Sequence, residues 1–232
     1  MAEEKAKQYV ENSAQDDATV LSMVDLVHRV GISMQESVEY YSKWAENGKY
    51  DQDICPKRYQ GPIIAASVLT EHFCDKIPDM KILDVAAGTG LVGKELQARG
   101  FKHLDALEPA TGMLEQARKK KIYTNLYCEF LDGKRLPIED DTYNCCVTSG
   151  GMGEGQIPCH GLHELIRITK PGGLICIVMR EEYLTHVKDY HERLEPLMKK
   201  LEEDGKLKQL SREIVSRYSF DKNGLVYKLQ IC

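Results

Sequence analysis

The sequence predicts an α/β fold, a mostly parallel sheet covered by helices, with an antiparallel C-terminal hairpin and N-terminal helices ahead of the sheet. Three observations predict it. From Lys81 onward, apolar runs of strand length alternate with segments of helical period, a pattern that packs as a parallel sheet with right-handed crossovers. The stretch Ile82-Leu83-Asp84-Val85-Ala86-Ala87-Gly88-Thr89-Gly90-Leu91-Val92-Gly93 runs from a β-branched strand through a small-residue turn into a helix. Near the C-terminus, strand-like runs over 214–220 and 225–231 flank Asp221-Lys222-Asn223-Gly224, and Asn-Gly is a strong hairpin signal.

The elements follow in order. Residues 1–18 are polar and lack apolar periodicity, so they read as a mobile tail. Residues 19–60 form a helical cap. Within it Val20, Leu21, Val24, Val27 and Val30 recur at helical spacing until Gly31. Ser33 with Glu36 makes a capping box ahead of Val38, Tyr41 and Trp44. Asn47-Gly48 then breaks that helix. The main domain, 61–232, opens with a helix after Pro62, a favoured first helical position. Its expected buried residues are Ile63, Ala66, Val68, Leu69 and Phe73. Strands are expected over 81–85, 103–107, 126–131, 143–148 and 174–179, with helices over 91–99, 111–120 and 162–169. A long amphipathic helix follows, marked by Leu184, Val187, Leu194, Leu197, Met198 and Leu201 and kinked at Pro196.

At 232 residues the chain suits one α/β domain with a sizeable core. A net charge of −5 gives no global attraction to nucleic acid. No apolar run approaches the roughly 18 residues that span a bilayer, and Met1-Ala2-Glu3-Glu4 is no secretory signal. The eight cysteines form no C-x-x-C pair, which points to a reduced, cytoplasmic setting without a structural metal. The nucleus remains compatible with it.

Ligands of open α/β sheets bind beyond the carboxyl ends of the strands, so polar residues there are the site candidates. Gly88 and Gly90 let the backbone turn sharply and approach a ligand. Gly88 to Gly93 also fits the dinucleotide fingerprint G-x-G-x-x-G, but Asp84 at the strand end would repel a pyrophosphate and suits an amine or sulfonium. Glu108 ends the second strand, eighteen residues after Gly90, where a carboxylate can take both hydroxyls of a ribose. Asp132, with Gly133, ends the third, placed for an exocyclic amine. Ser149-Gly150 ends the fourth with open backbone groups. Three acids after successive strands suit S-adenosylmethionine, which has a ribose, an amino purine and a cationic tail.

Over about residues 40–180 the chain resembles the class I S-adenosylmethionine-dependent methyltransferases. The matching stretches are Leu83-Asp84-Val85-Ala86-Ala87-Gly88-Thr89-Gly90, Glu108-Pro109-Ala110-Thr111-Gly112-Met113-Leu114, Asp132 with Leu136-Pro137, and Lys170-Pro171-Gly172-Gly173. Trp44-Ala45, Tyr50-Asp51-Gln52-Asp53, Gly112-Met113-Leu114-Glu115-Gln116-Ala117 and Gly153-Glu154-Gly155-Gln156-Ile157-Pro158-Cys159 narrow the resemblance to methyltransferase-like proteins. The resemblance implies a Rossmann-like sheet of seven strands and a cofactor held by Asp84, Ala86, Gly88, Thr89, Gly90, Leu91, Glu108, Pro109, Met113, Asp132, Gly133 and Ser149. Tyr41, Trp44 and Tyr50 would cover its methionyl end. Two departures stand out: Ala86 replaces a common glycine, and the Ala45-to-Tyr50 spacing is two residues longer.

Methyl transfer from a sulfonium is an in-line displacement in which orientation alone can supply roughly 7–11 kcal/mol of the barrier. Catalytic residues therefore need not announce themselves, and none does. The loop after strand four lacks the Asn/Asp-Pro-Pro-aromatic pattern of amino methylation on bases or glutamine. Gly150, Glu154, Gln156 and His160 are the candidates near the acceptor. Glu164 and Arg167, spaced i, i+3, read as a structural pair, and Arg118 to Lys121 as a solvated helix end. The expected function is methyl transfer to a small molecule or protein by a monomer. A non-catalytic cofactor-binding subunit and an NAD-dependent oxidoreductase are the alternatives.

Overall fold

A computed structural model describes residues 16–232. Its core is a seven-stranded sheet of order β3-β2-β1-β4-β5-β7-β6. The strands are β1 (Lys81–Val85), β2 (His103–Leu107), β3 (Leu126–Tyr127), β4 (Tyr143–Ser149), β5 (Thr169–Arg180), β6 (Leu207–Ser219) and β7 (Lys222–Ile231). The first five pair in parallel, and β7 runs antiparallel between β5 and β6.

Alternation along the central strands sets the two faces of the core. On β5, Ile175, Ile177 and Met179 join one apolar cluster while Leu174, Cys176 and Val178 join the other. The first cluster is completed by α7 (Gly161–Ile168), α8 (Tyr183–His186) and α9 (Leu194–Glu203). The second is completed by α4 (Gly61–Phe73) and α5 (Leu91–Ala98), through Ala65, Ala66, Leu69, Val92 and Leu96. Ile63, Val68 and Phe73 are only partly buried at the margin of that contact.

The N-terminal cap consists of α1 (Asp17–Val27), α2 (Met34–Trp44) and a short α3 (Lys49–Asp53). Asp16 caps α1 by accepting from Thr19 N–H, so the helix starts inside the stretch expected to be a tail. Residues 1–15 of that tail lie outside the described residues. Helix α1 ends at Val27 rather than at Gly31, and Val30 is 90% exposed. The Ser33–Glu36 capping box forms in both directions. Asn47 and Gly48 break the chain with positive φ, and the break is followed at once by α3. The boundary at residue 60 is stitched to the sheet, where Gln60 N–H donates to Tyr218 O at 2.8 Å.

Four expected elements differ. Strand β3 stops at Tyr127, so 128–131 is loop. The helix before β5 ends at Ile168, and Thr169 already pairs with Tyr143. The long kinked helix is two helices, and Pro196 sits in the first turn of α9, where its missing N–H costs no helical bond. The hairpin turns at Phe220-Asp221, because Ser219 pairs with Lys222; Asn223-Gly224 lies within β7. No helix among the described residues is long and apolar enough to cross a membrane.

Candidate functional site

A cavity enclosing about 1240 Å³ of empty space, its mouth included, lies beyond the carboxyl ends of β1, β2, β4 and β5 and is roofed by the cap. Its floor begins at the glycine turn. Gly88 has φ of 57° and no atom within 4 Å of where a β-carbon would stand, so its requirement is conformational. Ala86 also has positive φ, 54°, at a usual cost of about 1–2 kcal/mol. Its side chain faces Gly151, where a β-carbon would come within 2.6 Å of it. The methyl group at 86 is accommodated because the opposing position is glycine.

Glu108 joins this turn to the next strand. It is buried, with Oε2 accepting from Gly88 N–H and Oε1 from Ala110 N–H, both at 2.8 Å. Each oxygen keeps a further lone pair for a ligand hydroxyl. Burial pushes the carboxyl up to about 7 against the pull of those two donors. Pro109, ahead of α6 (Thr111–Lys120), and Met113, in its first turn, continue the wall.

Asp84 stands elsewhere than expected. It is buried beneath the turn and absent from the cavity lining, with Oδ2 accepting from Gly93 N–H at 3.1 Å and Tyr123 O–H at 2.5 Å. It braces the turn from below. Oδ1 has no partner, and burial pushes this carboxyl up to about 7 as well. The pH dependence follows in sign. Both raised acids hold protons in the native state that the unfolded chain releases above about pH 4. The share of the ligand-free protein's stability that these two acids carry is therefore full below that pH and falls as pH rises through about 7, by on the order of a few kcal/mol. The thermal midpoint should drop from about pH 5 to about pH 8, and Asp84→Asn, which copies the protonated carboxyl, should flatten part of the drop. A midpoint rising over that range, or an unaltered slope in Asp84→Asn, would count against it.

Thr89 and Leu91 line the cavity, whereas Gly90 turns toward Tyr123 behind it. The Thr89 hydroxyl donates to Asp51 of α3, and Lys120 reaches both Asp51 (2.6 Å) and Thr89 O (2.6 Å). Lys120 is thus a latch between cap and turn rather than part of a solvated helix end. Above it Tyr41, Trp44 and Tyr50 pack together, with Tyr50 edge-on to Trp44 at 5.1 Å. All three line the cavity, so the longer spacing before Tyr50 does not displace it: α3 brings it back. Trp44 donates from Nε1 to buried Asp53 at 2.9 Å.

Asp132 and Gly133 are not in the lining. Because β3 ends early, Glu129, Phe130 and Leu131 occupy that wall, while Asp132 takes the Lys134 ammonium at 2.5 Å. Lys134 holds its carboxyl below the usual range. His160 lies over the same loop, with Nε2 2.7 Å from Asp132 O, and does not reach the cavity. Glu154 is spent on positioning, accepting from Gly31 N–H at 3.0 Å. Ser149, Gly150 and Gln156 do line the cavity. Glu164 and Arg167 are the expected structural pair.

Sequence reasoning missed His28, Tyr59, Arg180, Tyr183 and Tyr218, which line the far end. Tyr59 O–H lies 2.9 Å from Ser149 Oγ and 3.3 Å from Tyr218 O–H. His28 Nδ1 lies 2.8 Å from Val24 O; since a carbonyl only accepts, Nδ1 carries the proton and Nε2 keeps a lone pair, 3.5 Å from the Tyr41 hydroxyl. Burial lowers this imidazole to about 4, so it is neutral at pH 7. Of these residues, only Arg180 had a usable signal, because it ends a strand of the parallel set.

Comparison with known proteins agrees with this geometry. Residues 82–173 match the family described as a methyltransferase domain. The chain belongs to the class I S-adenosylmethionine-dependent methyltransferases, and it is an enzyme of that class. Human methyltransferase-like protein 27 is 36% identical over 172 residues, covering 74% of this chain and 68% of the human protein. Demethylmenaquinone methyltransferase of Clavibacter sepedonicus is 39% identical over 112 residues, 47% of this chain and 45% of that protein. The fold is shared with two solved S-adenosylmethionine-dependent methyltransferases. That of Leishmania major has a TM-score of 0.59 at 16% identity, over 85% of this chain and 82% of that one. That of Aquifex aeolicus has a TM-score of 0.53 at 17% identity, over 84% and 98%.

Proposed function

We propose that the protein methylates a small molecule inside the capped cavity. The observation that carries this is the continuation of the cavity past Ser149, under α1 and α2, to a wall of Tyr59, Tyr183 and Tyr218. A space closed by a helical roof suits a compact acceptor better than a folded protein surface, and its depth argues against a closed, non-catalytic subunit.

The residues present fit the cofactor of the family. Glu108 offers lone pairs for a ribose, Gly88 an open approach, Met113 an apolar wall and the Tyr41–Trp44–Tyr50 group a cover. Bound there, S-adenosylmethionine supplies an electrophilic methyl group on a sulfonium, open to in-line displacement. The protein's task is then to exclude water and orient the acceptor. The Ser149–Tyr59–Tyr218 hydroxyls, and Nε2 of His28 beside the Tyr41 hydroxyl at 3.5 Å, can hold an acceptor's X–H group. The setting we propose is the cytoplasm.

Incubation with methyl-tritiated S-adenosylmethionine and a cell extract, then separation at about 3 kDa, tests this reading. Label is expected in the small-molecule fraction. Label confined to the protein fraction would refute a small acceptor.

A further inference from the structure

We infer that Arg180 anchors a carboxylate of the methyl acceptor, an inference that rests on the methyltransferase reading of the cavity. Among the described residues lining the cavity, the charged side chains are Glu108, Glu129 and Arg180, with His28 neutral. Arg180 is thus the cation of the site. It is only 6% exposed, and keeping a guanidinium out of water is costly unless it is well paired. Its pairing is thin. Nη1 donates to Glu182 at 3.3 Å and Nη2 to Ser219 Oγ at 3.5 Å, both long, which leaves most of its five donors uncommitted. Glu182 is shared, since Lys222 reaches it at 3.0 Å. Glu182 therefore divides its charge between two cations.

Position assigns the Arg180 charge to the acceptor. Arg180 ends β5, and in the sheet order β1-β4-β5 it stands two strands from the glycine turn, about 10 Å at ordinary strand spacing. Between them, Ser149 ends β4 and meets Tyr59 O–H at 2.9 Å, which in turn lies 3.3 Å from Tyr218 O–H. The guanidinium lies 5.7 Å from the Tyr183 ring centroid, and that ring stacks on His28 at 5.5 Å. A flat fork beside aromatic walls matches a planar carboxylate on a compact, partly apolar body.

The test titrates benzoate and its neutral isostere benzamide into the full chain saturated with S-adenosylhomocysteine, by calorimetry. Benzoate should bind about tenfold more tightly or better. Arg180→Gln should abolish that preference while leaving S-adenosylhomocysteine affinity within about twofold. Arg180→Lys, which keeps the charge and loses the fork, should fall between and decides the matter if the Gln variant does not fold. Equal binding of the two probes, or benzoate binding weaker than about 10 mM, overturns the proposal. So does a tenfold loss of S-adenosylhomocysteine affinity in Arg180→Gln, which would assign the residue to the cofactor's own carboxylate. Failure of the unaltered protein to bind S-adenosylhomocysteine would instead remove the cofactor reading beneath it.

Discussion

Glu108→Ala protein is expected to bind S-adenosylhomocysteine about ten- to hundredfold more weakly, the loss of a charge-assisted contact worth roughly 1.5–3 kcal/mol. The carboxylate also orders the site before any ligand arrives, because Gly88 N–H and Ala110 N–H both depend on it. Removing it leaves two donors without an acceptor, at about 1–3 kcal/mol each where they stay buried. For a chain of this size each kcal/mol lowers the thermal midpoint by about 2–4 °C. From the strand-end position alone, Glu108→Gln reads as the milder change. The hydrogen bonds reverse that expectation, since one arm of the amide must turn its N–H₂ against a backbone N–H. Both variants should therefore lose affinity and stability. Calorimetric titration beside a melt without ligand measures the two effects separately. Unchanged affinity in a folded Glu108→Ala protein would remove the ribose assignment.

Gly112→Ala is expected to lift the cap. Helices α2 and α6 meet at this residue, where a β-carbon would stand 2.3 Å from the carbonyl oxygen of Ser42. That neighbour is backbone, so no side-chain rotation relieves the clash and the helices must part. Overpacking of this kind costs typically 1–3 kcal/mol. Parting them also moves Tyr41 and Trp44, on α2, away from the cavity. The chain has one tryptophan, and Trp44 is 5% exposed, so its emission should shift to longer wavelength. S-adenosylhomocysteine affinity should fall by about tenfold, the equivalent of 1.4 kcal/mol. Native emission and affinity in the variant would show that the cap does not form the roof of the binding site.

The sequence by itself determined the α/β class, the boundaries of β1, β2 and α6, and the glycine turn with Glu108 beside it. Those features are local. Alternation, a cap or a glycine demand is written within a few residues, and the turn follows its strand directly. Tertiary structure decided the rest. Asp84 reads as a ligand-facing acid at a strand end, yet Tyr123, 39 positions away, meets it beneath the turn. Asp132 reads as the end of a third strand, but β3 gains only two residues of pairing at the sheet edge, so Glu129 and Phe130 reach the cavity instead. Asn223-Gly224 carries the hairpin signal, while pairing with Val215 and Arg180 on both sides holds Gly224 inside β7. The far end of the cavity was least visible. His28, Tyr59, Arg180 and Tyr218 come from four distant parts of the chain and meet only because the cap folds over the carboxyl ends of β4 and β5.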